Sequence, residues 1–388
     1  MAQRTIYLCI TDRCQLQCKH CYRNSVTQNS SVIKNDIDFF KYYYIQNYIT
    51  GAATDEHDPE SENYDDVCVV LHGGEPMLYR NLEYLKKFIM NMKYHHIPVT
   101  MTTNLLYELT PIRKEIIGLC SLDCYRDERF ISTSWDAGDV RFRTPEQKEL
   151  WEKNVRHLLM NGINIQPICT VTTELIKEDP EQLLEYFHEL GVKYLNFERL
   201  TVTGRAVDNV YLKPTNRQAE SWLFKVYKLN KEKGYFEIPL FTGIDQSLFG
   251  NHIGCRARQC VKNVRTINPD LSVGSCPNCA HIPVDVIYNE ETRKIGSGIE
   301  LIDKYNKLLE EEANVDMGCL LCTHYKECNG DCFQLKWDET GCPGFPMIYD
   351  YAKLKLQEDL KQKVEDYLDK KTDNTELLKI KETLGIKE

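Results

Sequence analysis

The cysteines constrain this chain more than any other feature of its sequence. Seventeen of its 388 residues are cysteine, and an odd number does not fit a closed framework of disulfides. The chain starts Met1-Ala2-Gln3-Arg4-Thr5, without an apolar signal segment. We therefore expect a cytoplasmic protein with reduced thiols, whose clustered cysteines bind metal.

Composition disfavours two classes of partner. The formal net charge of −10 argues against a nucleic-acid surface as the main binding site. No apolar run approaches the roughly 18 residues that a membrane-spanning helix needs. We therefore expect neither nucleic acid nor a membrane among the partners.

The cysteines fall into two groups and a scatter. The first cysteine group is Cys14, Cys18 and Cys21, spaced Cys-x3-Cys-x2-Cys. The second cysteine group contains Cys255, Cys260, Cys276, Cys279, Cys319, Cys322, Cys328, Cys332 and Cys342. The scattered cysteines are Cys9, Cys68, Cys120, Cys124 and Cys169. We interpret the scattered ones as small buried residues.

Short β-rich segments alternate with helical patterns over the first half of the chain. The predicted helices are Leu82–Met92, Pro145–Met160 and Asp179–Leu190. The predicted strands are Thr5–Ile10, Val67–His72, Pro98–Thr103, Phe130–Trp135, Asn164–Thr170 and Tyr194–Leu200. This alternation predicts an α/β fold with a parallel sheet. Six units over about 200 residues fit a partial (β/α)6 TIM-like barrel better than a complete eight-fold one.

Two further segments stand apart by their charge. Gly51–Asp66 holds seven acidic residues and no Lys or Arg, which we interpret as a solvated loop rather than a docking element. The chain from Tyr351 to Glu388 is rich in charge. Apolar residues recur there at spacings of three and four from Leu356 to Tyr367, which predicts an amphipathic helix.

The first cysteine group lies on the loop after the first predicted strand, where barrel folds place their chemistry. Three thiolates do not complete a zinc site unless a residue such as His20 joins them. They do suit a [4Fe–4S] cluster with one open iron. Further motifs follow strands two, three, four and six: His72-Gly73-Gly74-Glu75-Pro76, Thr102-Thr103-Asn104, Ser132-Thr133-Ser134-Trp135-Asp136, and Glu198-Arg199-Leu200 with Thr203-Gly204-Arg205-Ala206.

In spacing and order, these motifs resemble those of the radical SAM superfamily. The resemblance implies that the first cysteine group holds a [4Fe–4S] cluster whose open iron binds S-adenosylmethionine (SAM). The residues implied to contact SAM are His20, Tyr22, Gly73, Gly74, Glu75, Asn104, Ser134, Asp136, Arg143 and Leu200. Among them, the Gly-Gly-Glu-Pro loop would offer a buried acceptor for the SAM ammonium. Arg141 is the alternative to Arg143 for the SAM carboxylate.

The second cysteine group resembles the SPASM extension of these enzymes. Its pattern is Cys260-x13-Gly274-x4-Cys279, then Cys-x2-Cys-x5-Cys-x3-Cys and a final Cys342. The resemblance implies two auxiliary [4Fe–4S] clusters, with a zinc ribbon as the structural alternative. One cluster would take Cys255, Cys260, Cys279 and Cys332, and the other Cys319, Cys322, Cys328 and Cys342. Cys276 would be surplus, either as an alternative ligand or as a catalytic thiol that donates a hydrogen atom.

The two resemblances together imply three regions. These are a radical SAM core over residues 1–235, a small α+β SPASM domain over 236–345, and a helical tail over 346–388. Within the second region, a hairpin is predicted around Asn268-Pro269-Asp270.

The resemblance also implies the reaction. A low-potential electron donor, such as a flavodoxin or ferredoxin, would allow SAM to be cleaved to a 5′-deoxyadenosyl radical. That radical would take a hydrogen atom from the substrate, under anaerobic conditions.

Likeness to peptide-modifying maturases favours a ribosomally made peptide or a protein as substrate, with formation of a crosslink, a thioether or an epimer. The alternatives are a small-molecule dehydrogenase, rearrangement enzyme or epimerase, a sulfatase-maturating enzyme, and an iron–sulfur carrier without enzymatic activity. Sulfatase-maturating enzymes usually carry Asp directly after an auxiliary-cluster cysteine, whereas Ala280 follows Cys279 and Pro277 follows Cys276. Neither chain end provides a leader-binding domain, so we expect that a separate leader-binding protein or the catalytic body binds the leader, or that the substrate has no leader.

Overall fold

A computed structural model describes residues 4–23, 36–37, 41–54, 67–121, 130–287 and 299–370. Within these residues the strands are β1 (Arg4–Thr11), β2 (Val67–Gly73), β3 (Val99–Thr103), β4 (Phe130–Trp135), β5 (Asn164–Val171), β6 (Asn196–Arg199), β7 (Val264–Ile267), β8 (Ser272–Gly274) and β9 (Asp285–Val286). The helices are α1 (Lys41–Thr54), α2 (Leu82–Tyr94), α3 (Pro111–Ser121), α4 (Pro145–Met160), α5 (Pro180–Leu190), α6 (Asn216–Lys233), α7 (Pro239–Ser247), α8 (Cys260–Asn263), α9 (Ile299–Ala313), α10 (Met317–Leu320), α11 (Tyr325–Cys328) and α12 (Pro346–Lys370).

The strands form one mixed sheet in the order β6-β5-β4-β3-β2-β1-β7-β8-β9. Strands β1 to β6 pair in parallel with their sequence neighbours, and a helix separates each from the next. The prediction of an α/β fold with a parallel sheet is therefore confirmed. Because the strands run the same way, their carboxyl ends and the loops that follow them lie along one edge of the sheet.

The helix boundaries follow from local signals in the sequence. Asp179 caps the start of α5, because its carboxylate accepts the backbone N–H groups of Glu181 and Gln182, both at 3.0 Å. The helix ends at Gly191, whose φ of +89° is in the left-handed region that glycine adopts without strain. Helix α4 has the predicted bounds and buries one face against the sheet.

Strand β6 is shorter than the predicted segment Tyr194–Leu200. Tyr194 lies before it and forms an isolated bridge with Glu237. Leu200 lies after it and packs in a small apolar cluster with Val140 and Ala206. The apolar segment Tyr194–Leu200 therefore indicates which residues are buried, whereas pairing with β5 sets the length of the strand.

The region of the second cysteine group joins the same sheet. Strands β7 and β8 form the predicted antiparallel hairpin. Strand β7 also pairs in parallel with β1, with Thr5 opposite Val264 and Leu8 opposite Ile267. As a result, β1 is an interior strand between β2 and β7, an arrangement that was not predicted.

The chain divides into two compact units, Met1–Gly344 and Phe345–Glu388. The second contains the predicted tail helix, α12. The boundary near residue 235 remains a prediction. Of the acidic segment Gly51–Asp66, only residues 51–54 at the end of α1 are described, and the predicted loop otherwise lies outside the described residues, as does Cys124. Across the described part of the chain, no helix combines the length and apolar character that crossing a membrane requires.

Candidate functional site

The first cysteine group lies on the loop that leaves the carboxyl end of β1. Cys14 and Cys18 are buried and Cys21 is half-buried. Burial raises the pKa of Cys14 to about 12 and also raises the pKa of Cys18. The charge of Cys18 further raises the pKa of Cys14, and the charge of Cys21 further raises the pKa of Cys18. The three thiols are therefore neighbours. Binding of a metal to these thiols would release protons.

The end of β2 holds this loop through the backbone. The N–H of Gly74 donates to the carbonyl of Thr11 at 2.7 Å, and the N–H of Glu75 donates to that of Arg13, also at 2.7 Å. Gly73 has a φ of +126°, and a Cβ there would lie 2.3 Å from the Thr11 carbonyl oxygen. Glycine is therefore required by the close approach of the two backbones.

Glu75 connects the end of β2 to the end of β3. One of its carboxylate oxygens accepts from the N–H of Met77 at 3.0 Å and from the Thr103 hydroxyl at 2.7 Å. The other accepts from the N–H of Asn104 at 2.7 Å. Burial raises the pKa of Glu75 to about 7. The Glu75 carboxylate, which was predicted to bind SAM, therefore already links the ends of β2 and β3.

A buried ion pair follows β4. Arg141 Nε lies 2.6 Å from Asp136 Oδ2, and His20 Nε2 lies 3.4 Å from the same oxygen. The N–H of Thr170 donates to the other oxygen of Asp136 at 3.1 Å. Burial lowers the pKa of His20, and its Nδ1 is buried without a hydrogen-bond partner among the described residues.

The two candidate arginines after β4 occupy different surroundings. The Arg141 side chain is buried, which on its own would lower the pKa of Arg141. The charges of Cys18 and Asp136 outweigh this effect and raise that pKa. Arg143 is exposed and donates to the carbonyl of Gln17 at 3.0 Å, on the outer side of the loop. The structure thus places Arg141, rather than Arg143, among the interior groups.

The other predicted SAM contacts lie near the same loop. Asn104 Nδ2 is 3.6 Å from Cys14 Sγ, and Gln15 donates to Asn104 Oδ1 at 3.0 Å. The Tyr22 hydroxyl is 3.1 Å from His72 Nε2. Ser134 is half-buried on β4.

The second cysteine group is divided into two sets. The Cys255 thiol interacts with those of Cys260 and Cys332, and the Cys276 thiol with that of Cys279. The charge of Cys332 also raises the pKa of Cys276, so we refer to these five residues as the Cys255 set. The Cys342 set is Cys319, Cys322, Cys328 and Cys342, linked by the effect of their charges on the pKa values of Cys328 and Cys342. Cys276 lies within the Cys255 set.

Asp331 joins both sets to the end of β6. It lies between Cys328 and Cys332 in the sequence, is buried, and accepts from Arg199 Nη2 at 2.6 Å. Arg256 Nη2 pairs with its other oxygen at 3.2 Å. Arg199 also donates to the carbonyl of Pro343, next to Cys342.

Arg23 connects the first cysteine group to the hairpin. Its guanidinium donates to Asp12 Oδ1 at 2.8 Å and to Asn268 Oδ1 at 2.7 Å. Asn268 in turn donates to the carbonyl of Ala280 at 3.0 Å, beside Cys279. Next to this connection lies a groove of about 800 Å³. Its lining includes Tyr22, Arg23, Gly204, Asp208, Asn268 and His281.

Glu312 on α9 anchors the start of α8, where Cys260 lies. Its carboxylate accepts from the N–H of Cys260 at 2.6 Å and from that of Val261 at 3.2 Å. We expect Glu312→Ala to destabilise this segment by about 1–3 kcal/mol, because two buried N–H groups lose a charged acceptor. Hydrogen exchange measured by mass spectrometry should then be faster at residues 260–263. Glu311→Ala, on the exposed side of α9, is the matched control. Equal exchange in the two variants would contradict the anchoring role.

No protein-family model and no curated protein sequence matches this chain. Solved structures do match it. One is anSMEcpe with bound AdoMet, at a TM-score of 0.63 and 13% identity, covering 94% of this chain and 98% of the other. The same protein with AdoMet and the Cp18Cys peptide matches at a TM-score of 0.62 and 13% identity, with the same coverage. SuiB of Streptococcus suis bound to S-adenosylmethionine matches at 0.53 and 14% identity, covering 87% and 77% of the two chains.

The chain shares the fold of anSMEcpe and SuiB. At such low identity, the likeness concerns the fold alone. The resemblance to radical SAM proteins with SPASM-like features, drawn from the sequence motifs, is confirmed at this level.

The residues of the site suit the cofactors that the sequence resemblance implies. Among the described residues, no three His, Cys, Asp or Glu side chains converge on one point to hold a single metal ion. The donors in both cysteine groups are thiols, which are the usual ligands of [4Fe–4S] clusters. In such a cluster each thiolate binds a different iron atom, so the sulfur atoms need not converge on one point. Near the first group, the unpartnered Nδ1 of His20 leaves a buried polar atom for a bound molecule.

Several residues of the site were not assigned a role from the sequence. Arg23 directly follows Tyr22, and Asn268 was predicted only as part of a hairpin turn. Arg205 belongs to the motif Thr203-Gly204-Arg205-Ala206, and its backbone N–H donates to the carbonyl of Cys21 at 2.9 Å. His72 also lay in a quoted motif, directly before the paired glycines. The position of a residue next to a motif was the only signal available.

Proposed function

We propose that this chain is a radical SAM enzyme that acts on a peptide or protein. The observation that carries the proposal is the position of the first cysteine group. Three thiols lie on one loop at the carboxyl edge of the parallel sheet, held there by the ends of β2, β3 and β6. The groove beside this loop gives a substrate access to it.

We further propose that β1–β6 form the partial barrel and that the second cysteine group forms a SPASM domain with two auxiliary clusters. Under this proposal the Cys255 set and the Cys342 set each ligate one [4Fe–4S] cluster. The Cys255 set contains five thiols, so Cys276 is the surplus member or replaces one of the other four. The Arg199–Asp331 pair fixes both sets relative to β6.

The residues of the chain have defined tasks in this proposal. Cys14, Cys18 and Cys21 hold a [4Fe–4S] cluster, which when bound supplies the electron that splits a carbon–sulfur bond of SAM. Asp136 and Arg141 neutralise each other and leave the buried interior next to Cys18 close to neutral. The backbone contacts of Gly74 and Glu75 keep the loop in place. The small-molecule substrate classes remain the alternative.

A peptide substrate is supported by two observations. The groove is lined by three separate chain segments and is open to solvent, which suits an extended peptide. A solved structure of anSMEcpe, which shares the fold, includes a peptide together with AdoMet. A low-potential flavodoxin or ferredoxin as electron donor and a separate leader-binding protein complete the proposed partners.

Anaerobic reconstitution tests the proposal. We expect about twelve iron atoms per chain, three clusters of four, and 5′-deoxyadenosine after addition of SAM and dithionite. A variant with Cys14, Cys18 and Cys21 all replaced by Ala should lose about four iron atoms and all SAM cleavage. Cys120→Ala, buried on α3 outside both cysteine groups, should keep both. Zinc in place of iron, or unchanged iron in the triple variant, would refute the proposal.

A further inference from the structure

We infer that the side chain of Asn104 donates a hydrogen bond to the sulfur of Cys14 and thereby raises the reduction potential of the cluster proposed at the first cysteine group. The inference rests on the proposed function and adds to it a residue that acts through a cysteine ligand. It is carried by a buried contact, in which Asn104 Nδ2 lies 3.6 Å from Cys14 Sγ, and by the hydrogen bonds that fix both ends of this amide.

The backbone of Leu106 decides which end of the Asn104 amide faces Cys14. The N–H of Leu106 donates to Asn104 Oδ1 at 2.9 Å. A backbone N–H cannot accept a hydrogen bond, so its partner must be the oxygen of the amide and not the NH2 group. The NH2 group is therefore the end that lies against Cys14 Sγ.

Gln15 forms a paired contact with the same amide. Gln15 Nε2 donates to Asn104 Oδ1 at 3.0 Å, and Asn104 Nδ2 donates to Gln15 Oε1 at 3.2 Å. An asparagine amide has two N–H donors and two lone pairs on its oxygen. Leu106 and Gln15 occupy the lone pairs, and Gln15 and Cys14 take the two hydrogens. The amide that the sequence predicted to contact SAM therefore has all of its hydrogen bonds within the protein.

A strained turn directs the Asn104 side chain. The next residue, Leu105, is fully buried and has a φ of +55°, a conformation that a bulky side chain rarely adopts. Such a conformation persists only where its surroundings determine it, and it occurs preferentially at functional sites. Here the carbonyl of Leu105 accepts from Asn154 Nδ2 at 2.8 Å, and the N–H of Asn104 donates to Glu75 at 2.7 Å. The chain after β3 is thus held in a shape that presents the Asn104 amide to Cys14.

A hydrogen bond to this sulfur changes the energies of the two redox states unequally. A cysteine that ligates iron is a thiolate, and reduction of a cluster adds a further negative charge to it. An N–H donor stabilises the more negative, reduced state more strongly, so the reduction potential rises. Asn104 and Cys14 are both buried, where such a bond is stronger than in water. The N–H of Leu16 donates to the same sulfur at 3.4 Å, and Asn104 adds a second donor that a single substitution removes.

The test is a redox titration of the anaerobically reconstituted protein without SAM, followed by electron paramagnetic resonance. The signal of the first cluster is the part that is lost when Cys14, Cys18 and Cys21 are all replaced by Ala. Asn104→Ser is the test variant, because a serine hydroxyl also accepts from the N–H two residues further on but is too short to reach Cys14. Gln15→Met is the matched control, because it removes the paired amide and leaves the contact between Asn104 and Cys14. Iron content and SAM affinity are measured on the same samples.

We expect the ratio of reduced to oxidised first cluster at a fixed potential to fall about tenfold in Asn104→Ser, because one hydrogen bond to a charged acceptor is lost. For a one-electron step, this ratio corresponds to a midpoint potential lower by about 59 mV. Gln15→Met should retain the ratio of the unmodified protein. All three proteins should keep their iron and their affinity for SAM.

An unchanged midpoint potential in iron-replete Asn104→Ser would overturn the inference, as would an equal fall in Gln15→Met, which would assign the effect to packing beside Cys14. A loss of SAM affinity at unchanged potential would also overturn it and assign Asn104 to SAM. If Asn104→Ser lost its iron, Asn104→Asp would replace it. Asp keeps the shape and the oxygen that accepts from Leu106 but lacks the donor, so an unchanged potential there would equally overturn the inference. A reconstituted protein without a cluster signal that depends on the first cysteine group would instead refute the proposed function.

Discussion

Replacing Gly74 by alanine is expected to remove the iron bound by the first cysteine group while leaving the second group loaded. A Cβ at this position would lie 2.1 Å from the carbonyl oxygen of Arg13 and 2.7 Å from the carbonyl carbon of Asp12. Both are backbone atoms, so no side chain can rotate away to make room. The added methyl group must therefore push the loop away from the end of β2, breaking the hydrogen bonds of Gly74 to Thr11 and of Glu75 to Arg13.

The two lost hydrogen bonds and the overpacking together should cost about 2–5 kcal/mol. Of the twelve iron atoms that the proposed function predicts, we expect about four to be lost, and SAM binding with them. Gly118→Ala on α3 is the control, because nothing lies within 4 Å of the added Cβ. In the interior of a helix that change should stabilise the protein by about 0.5–1 kcal/mol. Full iron content and SAM binding in Gly74→Ala would show that the loop tolerates displacement.

Under the proposed function, Asp331→Ala is expected to have the opposite pattern, with loss of the iron of the second cysteine group and retention of that of the first. Burial alone would raise the pKa of Asp331, but Arg199 and Arg256 outweigh it and hold that pKa below its usual value. Asp331 is therefore ionised, and both arginine side chains are largely buried. Removing the carboxylate takes away the anion with which both buried cations pair, which should cost about 3–5 kcal/mol. It also removes the acceptor for the N–H of Cys332 at 2.6 Å.

Iron analysis and thermal unfolding measure this effect together. Because Asp331 lies between a cysteine of the Cys255 set and one of the Cys342 set, we expect iron to fall to about four atoms per chain. Asp331→Asn keeps the shape and part of the hydrogen bonding, so its loss should be smaller. Asp303→Ala, exposed on α9, should change the stability by no more than about 0.5 kcal/mol. Unchanged iron in Asp331→Ala would rule out a positioning role for this carboxylate.

Much of the parallel sheet was predictable because its signals are local. Each strand is a short apolar segment followed by a helical pattern, and glycine or a cap residue marks the ends, as at Asp179 and Gly191. The loop positions of Cys14 and Gly74 followed from the same alternation. Pairing of β1 with β7 was not predictable, because a strand of four residues carries no information about a partner so distant in the sequence.

Side-chain partners in the site were harder to predict than the positions of motifs. Arg141 and Arg143 are two residues apart, and their spacing does not reveal that only Arg141 turns inward to Asp136. Glu75 was predicted to face SAM, but the N–H of Asn104 and the Thr103 hydroxyl bind its carboxylate. Such assignments depend on which strand ends meet, and that information appears only in three dimensions.

The interior position of β1 has a consequence for biosynthesis. The second edge of β1 stays unpaired until Val264–Ile267 have been synthesised. At about 5–20 residues per second, the ribosome needs on the order of ten seconds or more to produce that partner. Contacts so distant in sequence also slow folding, because a long loop must close before they form. The nascent chain therefore carries an open strand edge next to the first cysteine group, so chaperones would meet this group before its permanent neighbours exist.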